Sequence, residues 1–160
     1  MIKQKNLFRL ILSIVFCLSA GYVGSFAVTQ SIDTWYANLA KPPFTPPDSF
    51  FGPVWTILYI LMGVALYLVW IEDKKRKKVT DALKIFSAQL LLNILWSIIF
   101  FGLHSPIGAL IEIVSLWLAI LLTITRFSRI SSAAAWLLIP YLVWVTYAAI
   151  LNAAIAFMNI

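Results

Sequence analysis

The side chains best suited to chemistry in this sequence are aromatic rings. The chain holds seven tryptophans, six tyrosines and eleven phenylalanines, but one histidine and one cysteine. Such rings stack on flat hydrophobic molecules. The sequence offers no Ser/His/Asp set, no carboxylate pair, no phosphate-binding glycine loop and no cysteine/histidine metal cluster. It therefore favours binding of a flat apolar ligand, and any reaction would use the ligand's own reactivity, with tryptophan or tyrosine as electron donor.

A proline-rich aromatic segment is the first candidate part of a binding site. Residues 35–48 read Trp-Tyr-Ala-Asn-Leu-Ala-Lys-Pro-Pro-Phe-Thr-Pro-Pro-Asp, and Trp55 follows shortly afterwards. Proline fixes φ and restricts the residue before it, so residues 41–48 should be stiff and largely extended. We therefore predict a stiff flap beside a binding site. Within it, Trp35 suits either packing of the flap or ligand binding.

Two later segments supply the rest of the predicted cavity. Gln89, Asn93 and Trp96 recur at helical spacing along one face. An amide in hydrocarbon must find a partner, so these residues should face inward, either linking helices or forming the polar floor of an aromatic cavity. Towards the end of the chain, small Ala148 beside bulky Trp144 leaves a notch in which a flat ligand could lie.

The elements that position these residues are membrane-spanning helices. The chain is 62% hydrophobic and 11% charged, with a mean hydropathy of +0.96. Five continuous apolar stretches are long enough to cross a bilayer, which takes about 20 residues each, and their continuity excludes alternating barrel strands. The predicted spans are about 7–28, 53–71, 82–103, 106–125 and 133–158. We predict one five-helix domain over residues 1–160, with a partly helical lid loop at about 29–52.

The charge distribution predicts an orientation. Five spans place the N-terminus and two connections on one side of the membrane, and Lys41 is the only basic residue predicted for the other side. The basic side holds Lys3, Lys5, Arg9, Lys74, Lys75, Arg76, Lys77, Lys78, Lys84, Arg126 and Arg129. By the positive-inside rule, the N-terminus is cytoplasmic and the C-terminus lies outside. The basic run at 74–78 fits contact with anionic lipid better than nucleic-acid binding.

Four features within or beside the spans leave alternatives open. Glu112 should be neutral or turned inward, either for proton-coupled transport or as a carboxyl that is hydrogen-bonded within the bundle. Small residues spaced from Cys17 to Ser25 suit a dimer face or internal packing. Pro140 should kink the last helix. His104 suits a hydrogen-bonding role or ligation of a haem iron.

Several motifs together resemble the tryptophan-rich sensory protein (TspO/MBR) family, which includes the mitochondrial translocator or benzodiazepine-receptor proteins. The matching segments are Trp35-Tyr36-x-x-Leu-x-Lys-Pro-Pro-Phe-Thr-Pro-Pro, Trp55-x-x-Leu-Tyr59, Gln89-x-x-Leu-Asn93-x-x-Trp96-Ser97, Phe100-Phe101-Gly102 and Pro140-Tyr141-Leu-x-Trp144-Val-x-Tyr-Ala148-x-x-Leu151-Asn152. The likeness covers essentially the whole chain in order. The chain lacks the Tyr and Arg of the sterol-recognition pattern that mitochondrial members carry after the last of these motifs.

The resemblance implies a membrane bundle, commonly a homodimer, that binds protoporphyrin IX, haem or other flat hydrophobic molecules and requires no metal or cofactor of its own. The ligand-binding positions that it implies are Tyr36, Pro46, Trp55, Asn93, Trp96, Trp144, Ala148 and Leu151. It also implies a bacterial plasma-membrane location, given the short basic N-terminus.

The sequence leaves three functions open. The first is a sensor or regulator that binds a tetrapyrrole. The second is an enzyme-like protein that degrades protoporphyrin IX with light and oxygen, with Trp55 and Trp144 as the catalytic residues. The third is transport or efflux of porphyrins, which the lack of an internal two-half repeat disfavours.

Overall fold

The computed structural model describes residues 2–72 and 76–160, and within these residues all regular structure is helical. The helices are α1 (Ile2–Ser31), α2 (Phe51–Trp70), α3 (Arg76–Ser97), α4 (Pro106–Ser128), α5 (Ser132–Leu137) and α6 (Ile139–Met158). Lys74 and Lys75 of the predicted basic loop lie outside the described residues, as do the side chains of Lys3, Lys5 and Arg76.

Within the described residues, five helical segments are long and apolar enough to cross a membrane, which confirms the predicted all-α membrane fold. The first four are α1, α2, α3 with its continuation to Gly102, and α4, while α5 and α6 together form the fifth. Helices α1 and α3 begin before the predicted spans. Their first turns are polar, so the hydropathy of the sequence did not include them. Such turns can extend a helix beyond the hydrocarbon, so hydropathy alone underestimates its length.

The fifth span is interrupted where the sequence predicts a kink. Helix α5 ends at Leu137, Leu138 separates the two segments, and Pro140 lies in the first turn of α6. Proline has no backbone N–H and its ring crowds the preceding turn, so the regular hydrogen bonding stops there. The interruption is local, and α6 continues to Met158.

A π-helical stretch, Ile98–Gly102, closes the third span. Its wider turn is seen in the bond from the Leu103 N–H to the Ile98 carbonyl, at 2.8 Å. The stretch buries two consecutive rings, Phe100 and Phe101, in one aromatic cluster. Single π turns inside longer helices occur frequently at functional sites.

Close packing of α1 against α2 depends on a glycine. A Cβ atom built on Gly63 would lie 2.5 Å from the Ile14 Cα atom, so the two backbones touch at this point. Nearby, a Cβ on Gly21 would lie 2.4 Å from the Tyr59 ring, and Cys17 is fully buried. The small residues of α1 therefore serve packing within the bundle. The homodimer stays a prediction.

We predict that Gly63→Ala lowers the free energy of unfolding by about 1–3 kcal/mol, the usual range for overpacking a tight contact. The added methyl meets main-chain atoms of Ile14, which cannot turn aside as a flexible side chain would. Unfolding of the purified protein in detergent, followed by tryptophan fluorescence, measures the change. Gly52→Ala is the control because a Cβ there meets nothing within 4 Å. Equal stability of the two variants would contradict the proposed contact.

Candidate functional site

A hydrogen-bonded chain of polar side chains joins three helices near the middle of the bundle. The Tyr59 hydroxyl donates to Asn93 Oδ1, and Asn93 Nδ2 donates to the Tyr141 hydroxyl at 3.0 Å. Tyr141 in turn donates to Gln89 Oε1 at 3.0 Å, and Gln89 Nε2 points at the Met62 sulfur at 4.0 Å. All five side chains are buried. The predicted inward face of α3 is therefore confirmed, and its amides link α2, α3 and α6.

An aromatic cavity of about 80 Å³ lies above this network, beneath the loop that joins α1 to α2. We call it the first lobe. Its aromatic walls are Tyr36, Phe51, Trp55, Tyr59, Trp96 and Phe101. The surface is predominantly apolar, and the remaining wall residues are Gly21, Ser25 and Val28 of α1, Ile32 just after it and Ser97 of α3. Three predicted binding residues, Tyr36, Trp55 and Trp96, thus lie around one space.

A second lobe, of about 20 Å³, adjoins the first. The two lobes share four walls, namely Tyr36, Phe51, Trp96 and Phe101. The second lobe also contacts Ala148, Leu151 and Asn152 of α6. The predicted notch on α6 therefore borders the same aromatic region. We refer to the two lobes together as the loop-end cavity.

Trp96 is held in place by its own polar network. Its Nε1 donates to Asn152 Oδ1 at 3.1 Å, and Asn152 Nδ2 donates to the Pro106 carbonyl at 2.8 Å. The indole also stacks on Phe100, with ring centroids 5.5 Å apart. A ring fixed by both a hydrogen bond and stacking offers a rigid wall to both lobes.

The first loop, residues 32–50, is tied to the bundle by side chains from distant positions. Tyr147 donates to the Phe44 carbonyl at 2.7 Å. The Asn159 amide accepts from the Ala40 N–H and donates to the Ala40 carbonyl, both at 2.9 Å. These three bonds connect the middle of the loop to α6 and to the residue that follows it.

The start of the loop packs on the connection before α4. Trp35 stacks on His104 with centroids 4.5 Å apart, and the Ser31 hydroxyl is 3.1 Å from His104 Nε2. His104 itself adopts a left-handed conformation, with φ of 52°, in the turn after the π-helical stretch. Trp35 lines neither lobe, and these contacts give it and His104 structural partners in the loop.

Tyr36 reaches from the loop into the cavity and lines both lobes. Lys41 lies over its ring, with Nζ 4.3 Å from the centroid. Burial, together with the negative charge of Asp48, raises the pKa of Tyr36 to about 12. The phenol therefore stays neutral at physiological pH and keeps a proton to donate.

Three predicted binding residues do not line either lobe. Asn93 lies below the cavity with both ends of its amide engaged by Tyr59 and Tyr141. Pro46 is half-buried in the loop. Trp144 packs edge-on against Phe51, at 6.1 Å between centroids, so it stands behind a ring that does line the cavity.

Two buried groups among the described residues have no hydrogen-bond partner. They are the Trp144 indole N–H and both carboxyl oxygens of Glu112. Glu112 faces the bundle, as predicted, and is 8% exposed, but the expected internal hydrogen bond is not formed. Unpaired polar groups are rare in protein interiors and call for a structural or functional explanation.

Among the residues that the sequence did not predict for the site are two that line both lobes and one tether of the loop. Phe51 and Phe101 line both lobes, and Asn159 holds the loop from the end of the chain. Phe101 was part of a quoted motif, but its position depends on the π-helical stretch. An asparagine near the end of a chain carries no signal of a contact 119 residues away.

Comparison with known proteins identifies a family. The profile of the TspO/MBR family matches residues 13–158. The chain is 45% identical over 157 residues to the tryptophan-rich protein TspO of Archaeoglobus fulgidus, covering 96% of this chain and 99% of that protein. It is 43% identical over 156 residues to the protein of the same name from Chlorobaculum tepidum, covering 98% and 99%. The human translocator protein is 39% identical over 132 residues, covering 82% and 78%.

We predict that Tyr141→Phe destabilises the bundle by about 1–3 kcal/mol, because it leaves Asn93 Nδ2 and Gln89 Oε1 without their partner in a dry interior. Unfolding in detergent measures the loss. Tyr22→Phe is the control, since Tyr22 is 74% exposed on α1. If Tyr141→Phe were as stable as Tyr22→Phe, the network would contribute nothing to the fold.

We predict that Asn159→Ala loosens the first loop by removing both hydrogen bonds to Ala40. Hydrogen–deuterium exchange should be about tenfold faster at the Ala40 amide, since about 1.4 kcal/mol of local stability corresponds to that factor. Asn38→Ala is the matched control, because Asn38 bonds only to the nearby Thr34 carbonyl. Faster exchange in the control alone would show that the loop is held locally and not by the chain end.

Proposed function

The chain belongs to the TspO/MBR family of membrane proteins, and on that basis we propose that it binds a tetrapyrrole of the protoporphyrin IX or haem class in the loop-end cavity. Binding would make it a sensor or regulator of porphyrin level or stress. The main support for the proposal is the pair of adjoining lobes with four shared walls. All four are aromatic rings, and each comes from a different element: Tyr36, Phe51, Trp96 and Phe101. Apolar and aromatic linings with a few polar groups are typical of small-molecule sites.

The polar groups near the cavity support an amphipathic, flat ligand. The buried N–H of Trp144 lacks a partner, and the neutral phenol of Tyr36 faces both lobes. Each could donate a hydrogen bond to a carboxylate or ring nitrogen of a tetrapyrrole. The remaining surface would contact the macrocycle through stacking.

The size of the cavity requires the first loop to move on binding. The lobes measure about 80 and 20 Å³, whereas ligand pockets commonly span about 300–1,000 Å³. The bundle walls are fixed by the Tyr59–Asn93–Tyr141 network, while the loop is held by a few side-chain bonds. Lifting the loop and swinging Tyr36 with it is therefore the smallest change that joins the lobes into one site.

Light- and oxygen-dependent degradation of protoporphyrin IX is a second candidate function. It is favoured by Trp55, which lines the first lobe and lies 5.7 Å from the Tyr59 ring and 6.2 Å from the Tyr141 ring, measured between centroids. These rings are potential electron donors next to the proposed ligand. Trp144 would join them if Phe51 moved together with the loop.

We also propose that the end opposite the first loop faces the cytoplasm of a bacterial cell. Arg9, Lys84, Arg126 and Arg129 lie at that end, whereas Lys41 lies in the first loop. This asymmetry follows the positive-inside rule. The N-terminus would then be cytoplasmic, and the cavity would open outward.

We predict that Ala148→Phe weakens binding of protoporphyrin IX about tenfold or more, because the new ring fills the second lobe. Quenching of tryptophan fluorescence, recorded with brief excitation and no other illumination, measures the affinity of the purified protein in detergent. Ile150→Phe is the matched control, since Ile150 is 57% exposed on the same helix. Equal affinities for both variants would place the ligand elsewhere.

The absorbance of protoporphyrin IX under illumination distinguishes the candidate functions. A sensor binds protoporphyrin IX without accelerating its loss of absorbance beyond that in detergent alone. A degrading protein accelerates that loss, and Trp55→Phe and Trp144→Phe abolish the acceleration, whereas Trp136→Phe, at a residue that is 71% exposed, leaves it intact. Porphyrin accumulation in proteoliposomes would instead indicate transport.

A further inference from the structure

A second groove lies between α1, α2 and α3, at the end of the bundle opposite the first loop. Its volume is about 330 Å³, larger than either lobe of the loop-end cavity. We propose that this groove, which we call the basic-end groove, binds an acyl chain of an anionic phospholipid whose phosphate is held by Arg9.

The lining of the groove suits an aliphatic chain. Leu12, Leu66 and Leu83 contribute to its walls, and the lining surface is predominantly apolar. The hydroxyl of Ser13 is already bonded to the Arg9 carbonyl at 2.9 Å, so it does not require a polar ligand. The space therefore favours methylene groups over a polar molecule.

A fully buried ring of the groove lining packs against α4. Phe86 lines the groove but stacks on Phe127 of α4, with centroids 5.6 Å apart and planes 12° from parallel. The stacking draws the ring towards the core between α3 and α4. The gap beside α1 therefore persists as part of the packed structure.

A positive charge lies at the rim of the groove. The Arg9 guanidinium carbon is 5.6 Å from the centroid of Trp70, and the Trp70 ring itself lines the groove. Lys84, the residue after Leu83, is exposed at the same end. A cation held over an aromatic ring at a membrane surface is well placed to bind a lipid phosphate.

The groove suits part of an acyl chain and is separate from the site proposed for the tetrapyrrole. Leu66 to Trp70 spans roughly 6 Å along α2, enough to seat the first few carbons of an acyl chain below its headgroup. The two cavities share no lining residues. Trp55 and Leu66 are eleven positions apart on α2, which corresponds to roughly 16 Å along its axis. The proposal is therefore independent of tetrapyrrole binding.

The test compares an anionic with a zwitterionic lipid of the same acyl chains. Purified full-length protein in detergent is supplied with phosphatidylglycerol or phosphatidylcholine, and thermal unfolding and native mass spectrometry are recorded. We expect phosphatidylglycerol to raise the Tm more than phosphatidylcholine and to remain bound at one lipid per chain. Added salt should reduce the difference, because the headgroup contact is partly exposed.

Three variants test whether the lipid binds in the basic-end groove. Arg9→Gln should remove the preference for phosphatidylglycerol, with about a tenfold loss of retained lipid. Leu66→Trp should reduce retention of both lipids by filling the groove. Arg126→Gln is the matched control, since Arg126 is exposed in the last turn of α4 and away from the groove.

Three outcomes would overturn the proposal. The first is equal stabilisation by the two lipids in the wild type. The second is an equal loss in Arg9→Gln and Arg126→Gln, which would indicate a diffuse basic surface. The third is a changed monomer–dimer ratio in Leu66→Trp with lipid retention intact, which would assign the groove to a second copy of the chain.

Discussion

The need to pair polar side chains inside a hydrocarbon environment governs this bundle. Helical bonding within each span satisfies most of its backbone N–H and C=O groups, but buried amides and hydroxyls must find partners on neighbouring helices. The chain from Tyr59 through Asn93 and Tyr141 to Gln89 does so across α2, α3 and α6. At each link of this network, a hydrogen-bond donor of one side chain faces an acceptor of the next. Because the network fixes three helices at one level, it sets the floor on which the aromatic cavity stands.

The same requirement makes the buried groups that remain unpaired unusual. Trp96 and Asn152 complete their bonds with each other and with the Pro106 carbonyl, which ties α3, α6 and α4 together. The N–H of Trp144 and the carboxyl of Glu112 do not. Among the described residues, these are the buried side-chain groups without a partner, and leaving such groups unpaired lowers the stability of the fold. Trp144 packs against Phe51, a wall of the cavity, so its unpaired N–H lies close to the site proposed for the ligand.

Hydropathy, proline and the polar face of α3 were sufficient to predict the five spans, the break before Pro140 and the inward amides. These features depend on local chemistry and on the bilayer, so a single sequence contains them. The hydrogen-bond partner of each polar side chain was not predictable. Asn93 was expected at the cavity and instead has both ends of its amide engaged in the network. The π-helical stretch and the contact between Asn159 and Ala40 arise from tertiary packing, which overrides local preference.

If the proposed ligand enters beneath the first loop, the loop can control its affinity without any change in the bundle. Three hydrogen bonds, one from Tyr147 and two from Asn159, hold its middle. At about 1 kcal/mol each, they favour the closed loop by about 3 kcal/mol, or about 100-fold. A ligand that requires the open loop binds more weakly by that factor, since its apparent affinity scales with the open fraction. The stiffness given by the prolines makes the loop move as one unit, so loss of any tether shifts the whole equilibrium. In the proposed function, the tethers at the middle of the loop would therefore set the affinity, while the aromatic walls would determine which ligand fits.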